Sequence, residues 1–248
     1  MPFLEHLEEL RRRLIWILLA LALGSVVGVV AVAELNFLGW FQRPIEPYLA
    51  GGRLAFTSPT EPIGITFKLG FLLGLILAFP VIAAQIWAFM SPALYASERK
   101  VILPSLVAAM LLFLAGAGLG YFVALPLGLR FLLTFQSAAL LPWITAGEYI
   151  RFAIRVVLAF GVIFELPIVI LVLSSLGIVT PDFLRRYRRH AILVLAVIAA
   201  ILTPADLVSM MVMLPPLVLL YEASLWVAVF VARARRRALA DEAQPASD

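Results

Sequence analysis

The sequence predicts an all-α membrane protein with six transmembrane helices, both termini on the cytoplasmic side, and the last two spans short. Three observations carry this. Of 248 residues, 64% are hydrophobic and only 14% charged, against roughly 45–50% and about 25% in a soluble domain. Mean hydropathy is +1.07. Apolar runs recur at bilayer-crossing length, and Arg and Lys gather in alternate loops.

The first span is expected at 14–33. At about 1.5 Å per residue the run from Leu14 to Ala33 crosses a core of roughly 30 Å. Ala31-Val32-Ala33 resembles a signal-peptide cleavage site, but a cleavable signal has an apolar core of only about 7–15 residues. The run therefore reads as an uncleaved span. Residues 34–63 carry Pro44, Pro47, Pro59 and Pro62, with an apolar stripe of Phe37, Leu38, Phe41 and Ile45. They read as a short helix at the outer interface followed by a folded cap.

The second span is expected at 64–89 and the third at 101–126. Pro104 falls in the first turn of the third, where its missing N–H costs nothing. Residues 127–148 are apolar, with Trp143 as an interface anchor. The fourth span is expected at 149–174. Pro80 and Pro167 should kink spans two and four.

The stretch "HAILVLAVIAAILTPADLVSMMVML" could be one span over 191–213, which would leave the tail arginines outside. A break at Thr203-Pro204-Ala205-Asp206 obeys the charge rule. Pro204 disfavours helix at Thr203, and Asp206 can cap the next helix. This gives spans at 191–203 and 207–232. So short a fifth helix should thin the bilayer locally or expose a recess. Residues 1–232 form a single membrane domain in this reading, and 233–248 a disordered cytoplasmic tail.

Basic residues fix the orientation. Arg11–Arg13, Arg99, Lys100, Arg185, Arg186, Arg188, Arg189, Arg233 and Arg235–Arg237 share one side; the opposite loops hold Arg43, Arg53 and Arg130. The richer side, with both termini, is cytoplasmic.

The chain has no cysteine and two histidines, which excludes disulfides and leaves too few soft ligands for a zinc or haem site. No nucleotide-binding loop, nucleophile elbow, metal-spacing pattern or internal repeat appears, so no cofactor and no catalytic group are assigned. Glycine-rich "GAGLGYF" (116–122) reads as helix packing through Gly116 and Gly120.

Several acids stand out. Phe3, Leu7, Leu10 and Leu14 make one apolar stripe, with Glu5, Glu8, Glu9, Arg11, Arg12 and Arg13 mostly off it. Either this is an interfacial helix whose charges pair internally, or a carboxylate here recognises a basic ligand. In "FMSPALYASERK" (89–100), Glu98 either caps the next helix or forms a second acidic site on a basic face. Glu165 in "VIFELPIV" and Glu222 in "LLYEASLW" fall within spans, as does Gln85. An ionisable group in a membrane is a functional candidate, or else a protonated packing group. Glu165 and Glu222 also support an alternative, a proton-coupled small-solute transporter.

"HLEELRRRL" (6–14), "FPVIAAQIWAFMSPALYASERK" (79–100), "FGVIFELPIVI" (160–170) and the "TPAD" turn resemble TatC, the multispan core of the twin-arginine protein translocase. The resemblance implies a cup-shaped, six-span receptor in the bacterial inner membrane. It implies twin-arginine signal peptides as ligands, TatA-type and TatB-type single-span partners, and homo-oligomers within the complex. Transport of folded proteins would be driven by the proton-motive force. No nucleic acid is implied. The family's signal-contacting carboxylates fall on Glu9 and Glu98, with Leu10, Arg11 and Phe89 nearby. Its buried glutamate falls on Glu165, its cap proline on Pro44, its outer lysine on Lys68 and its last-turn aspartate on Asp206. Glu8 is an extra acid beside Glu9.

Overall fold

The computed structural model describes residues 3–49, 54–90, 102–134, 144–202 and 207–243. The described residues fall into α1 (Phe3–Glu34), α2 (Phe37–Phe41), α3 (Glu61–Met90), α4 (Ile102–Leu119), α5 (Leu125–Thr134), α6 (Ala146–Ile163), α7 (Leu166–Ser175), α8 (Pro181–Arg186), α9 (Arg188–Leu202) and α10 (Leu207–Ala243). Five described stretches are long and apolar enough to cross a membrane: Glu5–Glu34, Glu61–Phe89, Pro104–Thr134, Ala146–Ser175 and Met213–Arg233. The short α9, 15 residues, lies between the last two. This is a polytopic helical membrane protein.

α1 runs along α3 at backbone contact. A Cβ on Gly74 would sit 2.5 Å from Ser25 Cα, and one on Gly24 2.6 Å from the Gly74 carbonyl. Lipid is no less apolar than a leucine side chain, so close van der Waals approach between small residues is what joins membrane helices. Gly116 works similarly: a Cβ there would meet the Phe160 carbonyl at 2.5 Å. That bears out the packing reading of "GAGLGYF".

Prolines shape the long spans. Pro104 lies in the first turn of α4, as expected. A π turn at Gly120–Ala124 joins α4 to α5 immediately before Pro126. Pro167 cannot donate to the Ile163 carbonyl, and the helix breaks there: α6 ends at Ile163 and α7 begins at Leu166. The Glu165 amide bonds instead to the Val162 carbonyl at 3.1 Å. Pro80, by contrast, lies inside an unbroken α3.

The outer end, opposite the termini, is closed by the segment after α1. The short helix expected there exists, but Phe41 and Ile45 of its stripe are only 2% and 1% exposed. Two buried tyrosines need acceptors and find them in this segment. Tyr121 Oη donates to the Trp40 carbonyl at 2.7 Å, and Tyr149 Oη to the Phe41 carbonyl at 2.6 Å. The Trp40 ring stacks on Tyr121 with centroids 4.4 Å apart. The stripe is thus a plug in the bundle rather than an element resting on the lipid.

Beyond it, the Ala146 amide donates to the Ala55 carbonyl at 2.7 Å, and the Gly147 amide to Glu61 Oε1 at 2.6 Å. These bonds hold the starts of α3 and α6 level. At the other end Gly177, with φ 75°, terminates α7, and the Ile178 amide bonds back to the Leu173 carbonyl at 2.9 Å. The Tyr221 hydroxyl donates to the Leu184 carbonyl at 2.8 Å, tying α10 to α8.

α10 differs from expectation in length. Its apolar stretch, Met213–Arg233, has 21 residues, yet the helix has 37 and continues to Ala243, into the segment expected to be disordered. Residues 233–240 are all Arg, Ala and Leu, strong helix formers on an already nucleated helix. Glu98, Trp143 and the Thr203–Asp206 turn lie outside the described residues.

Candidate functional site

The inner end of the bundle joins the first turns of α1 to the last turns of α3. The His6 and Phe89 rings stack with centroids 4.5 Å apart and planes at 23°. One turn further along α1, Arg13 Nε donates to Glu9 Oε1 at 3.1 Å, and Arg13 Nη2 forms an ion pair with the same oxygen. Arg13 Nη1 reaches across to Gln85 Oε1 at 3.3 Å. The Glu9 and Arg13 side chains are only 13% and 18% exposed.

The carboxylate is therefore held by one oxygen. Glu9 Oε2 has no hydrogen-bond partner among the described residues and is not among their buried unpartnered atoms. A carboxylate presents about four acceptor positions. A braced carboxylate with an unused oxygen is suited to a guanidinium or ammonium ligand.

Sequence reasoning singles out Glu9, Leu10, Arg11 and Phe89 here. The structure draws Glu9 and Phe89 into the cluster and leaves Leu10 and Arg11 exposed. Glu8 is also exposed, so Glu9 is the acid turned toward α3. The Glu9–Arg13 contact is the internal i,i+4 pairing that the sequence offered as one of its two readings of this helix. One cluster member escapes the sequence. His6 gives no signal, because its partner lies on another helix. Gln85 reads as a polar mark within the membrane and instead receives the Arg13 bond.

On another face of α3's last turns lies an apolar pocket of about 190 Å³ between α3, α4 and α7. Phe79, Ala83, Ile86, Trp87, Ala109 and Ile168 contribute to its wall, and Glu165 is its acidic residue. Glu165 occupies the Pro167 break, where the chain leaves the helix at Phe164. Its Oε1 is buried and has no hydrogen-bond partner among the described residues.

Glu222, the second acid that the sequence places within a span, is paired: Arg188 Nε donates to its Oε1 at 2.6 Å, and Arg188 Nη2 pairs with its other oxygen. The bidentate pair joins the start of α9 to α10. Of the two acids that the transporter alternative uses, Glu222 is thus ion-paired, whereas Glu165 Oε1 has no partner among the described residues. Pro44 is half-buried in the outer plug, and Lys68 is exposed on α3. Glu98 and Asp206 lie outside the described residues.

The family model for TatC, the Sec-independent protein translocase protein, matches residues 5–216. The chain belongs to the TatC family. It is 40% identical to the Sec-independent protein translocase protein TatC of Koribacter versatilis, over 98% of this chain and 92% of that one. It is 39% identical to the TatC of Aquifex aeolicus, over 95% and 98%. Two crystal structures of the twin-arginine translocase receptor TatC superpose with TM-scores of 0.79 and 0.81 at 38% and 39% identity. They cover 92% and 90% of this chain and 99% of each structure. This TatC is thus a component of the Sec-independent, twin-arginine protein translocase, a multi-pass membrane protein whose family role is transport.

Proposed function

We propose that this TatC is the signal-peptide receptor of its translocase. It lies in the bacterial inner membrane with both termini in the cytoplasm, and a single six-span domain covers 1–232. The observation that carries the proposal is the Glu9 carboxylate, fixed through one oxygen by Arg13 and carrying its other oxygen without a partner among the described residues. One arginine of a twin-arginine peptide bonds to this oxygen, and Glu98 takes the other arginine. Charge-assisted bonds from a planar guanidinium to a carboxylate are short and directional, which favours arginine over lysine. Phe89, stacked on His6, gives the peptide an apolar surface beside the charges. Leu10 and Arg11 flank the approach.

Bound receptor then recruits TatA-type and TatB-type partners and assembles with further copies of itself. Folded cargo crosses under the proton-motive force. The Glu165 oxygen in its apolar pocket, without a partner among the described residues, supports docking of a partner's membrane helix that carries a polar side chain. Pro44, Lys68 and Asp206 belong to the outer cap in this reading.

The experiment is photocrosslinking from position 89, which leaves Glu9 and Glu98 in place, to a twin-arginine peptide in membranes, with a twin-lysine peptide as control. Glu9→Lys and Glu98→Lys are each expected to abolish crosslinking while the protein still inserts. Undiminished crosslinking by both variants refutes the assignment.

A further inference from the structure

Away from the inner cluster, the outer halves of α3 and α6, which touch one another, carry cations where a membrane protein ordinarily avoids them. Glu61 of α3 bonds to the Gly147 amide of α6, so the two helices enter the membrane level and side by side. Lys68 lies two helical turns beyond Glu61 on the same stripe, about 10 Å inward at roughly 1.5 Å per residue. Arg151 and Arg155 follow Gly147 at i+4 and i+8, about 6 and 12 Å inward by the same rise. All three are exposed. Among the described residues none has an ion-pair partner.

Unpaired cations at this depth are costly and mark a site, and on the outer side they also run against the usual charge bias. The surface continuing inward from them is apolar. Phe71, one turn past Lys68, is 46% exposed, and Val162, two turns past Arg155, is 61% exposed. The exposed surface of the two helices is therefore cationic toward the outer rim and greasy toward the membrane centre.

We infer that Lys68, Arg151 and Arg155 hold the phosphate of an outer-leaflet phospholipid, whose acyl chain lies inward against Phe71 and Val162. The long cationic side chains reach up toward the phosphate while their stems remain on the apolar surface. Guanidinium pairs are suited to bind phosphate through two parallel bonds. This lipid site is separate from the signal-peptide reading and does not depend on it.

The test uses the full chain alone in nanodiscs with a trace of phosphatidylglycerol bearing a photoreactive headgroup. A phosphate-free glycolipid with the same chains and photoreactive group is the control. Phosphatidylglycerol should label residues 61–75 and 146–163, at least fivefold above the glycolipid. The combined Lys68→Gln, Arg151→Gln and Arg155→Gln variant should lose at least fivefold of that labelling. Arg151→Lys with Arg155→Lys should keep at least half of it. If the triple variant is not monodisperse, Arg155→Gln alone should lose at least twofold.

Equal labelling by the glycolipid overturns the inference, as does unchanged labelling in the glutamine variants. Displacement by millimolar inorganic phosphate shows a free-anion site instead. Failure of phosphatidylglycerol to label the lone protein points to a partner's carboxylate as the occupant.

Discussion

The Glu61 carboxylate of α3 accepts a 2.6 Å hydrogen bond from the Gly147 amide at the start of α6. Its other oxygen takes the Thr57 amide at 2.7 Å and the Thr57 hydroxyl at 3.1 Å. One side chain thus satisfies an unpaired donor at the start of α6 and fixes the loop that precedes its own helix. Glu61→Ala should speed hydrogen exchange at Gly147 and Thr57 and lower Tm in detergent. Peptide crosslinking at the inner end should remain. Unchanged exchange at Gly147 would remove Glu61 from this role.

The outer plug depends on two hydroxyls. Tyr149→Phe deletes the bond to the Phe41 carbonyl, leaving a buried acceptor without its donor, at a cost of about 1–3 kcal/mol. Tyr121→Phe removes the equivalent bond to Trp40. The double variant should lose more than either single one, read as Tm or as protease cleavage between α1 and α3. A Tm for Tyr149→Phe equal to wild type would show that the hydroxyl contributes nothing.

At the α1–α3 crossing, Gly74→Val places a branched side chain where a single Cβ would already lie 2.5 Å from Ser25 Cα. Overpacking typically costs about 1–3 kcal/mol, and backbone cannot move aside as a side chain does. The variant should unfold at lower temperature. It should also crosslink poorly from α1 to α3 through paired cysteines at positions 13 and 85, whose native side chains meet. Gly64→Ala, with nothing within 4 Å of its Cβ position, is the neutral control.

The Arg188–Glu222 pair invites a charge swap. Arg188→Glu alone puts two carboxylates together and should lower Tm and yield. Arg188→Glu with Glu222→Arg should recover most of both. If the swap is no better than the single variant, the pair is not what joins α9 to α10.

Gln85→Leu removes the cross-helix acceptor of Arg13 while keeping similar bulk. Crosslinking of a twin-arginine peptide from position 89, with Glu9 intact, should fall about 2- to 5-fold, the equivalent of roughly 0.5–1 kcal/mol. Insertion should be unaffected. A wild-type signal would detach Gln85 from the positioning of Glu9.

The spans were legible because their signals are local. Apolar length marks each long helix, and Pro167 placed the break between α6 and α7 within a few residues. Pairings between distant residues were not legible. Gln85 lies 72 positions from Arg13, and Glu222 lies 34 from Arg188, so neither periodicity nor composition could join them. The outer stripe was recognised as apolar, but its burial depended on acceptors sought by Tyr121 and Tyr149 far along the chain. Toward the C-terminus the last dozen residues, "RALADEAQPASD", suggested a loose tail, whereas helix propensity carries α10 on to Ala243.

Because α1 and α3 meet at Gly24, Gly28, Gly70 and Gly74 with backbone against backbone over most of the crossing, one helix can slide along the other only after the two have first drawn apart. The crossing therefore fixes the register of the pair, and with it the height of the Glu9 end of α1 relative to the Glu61 end of α3.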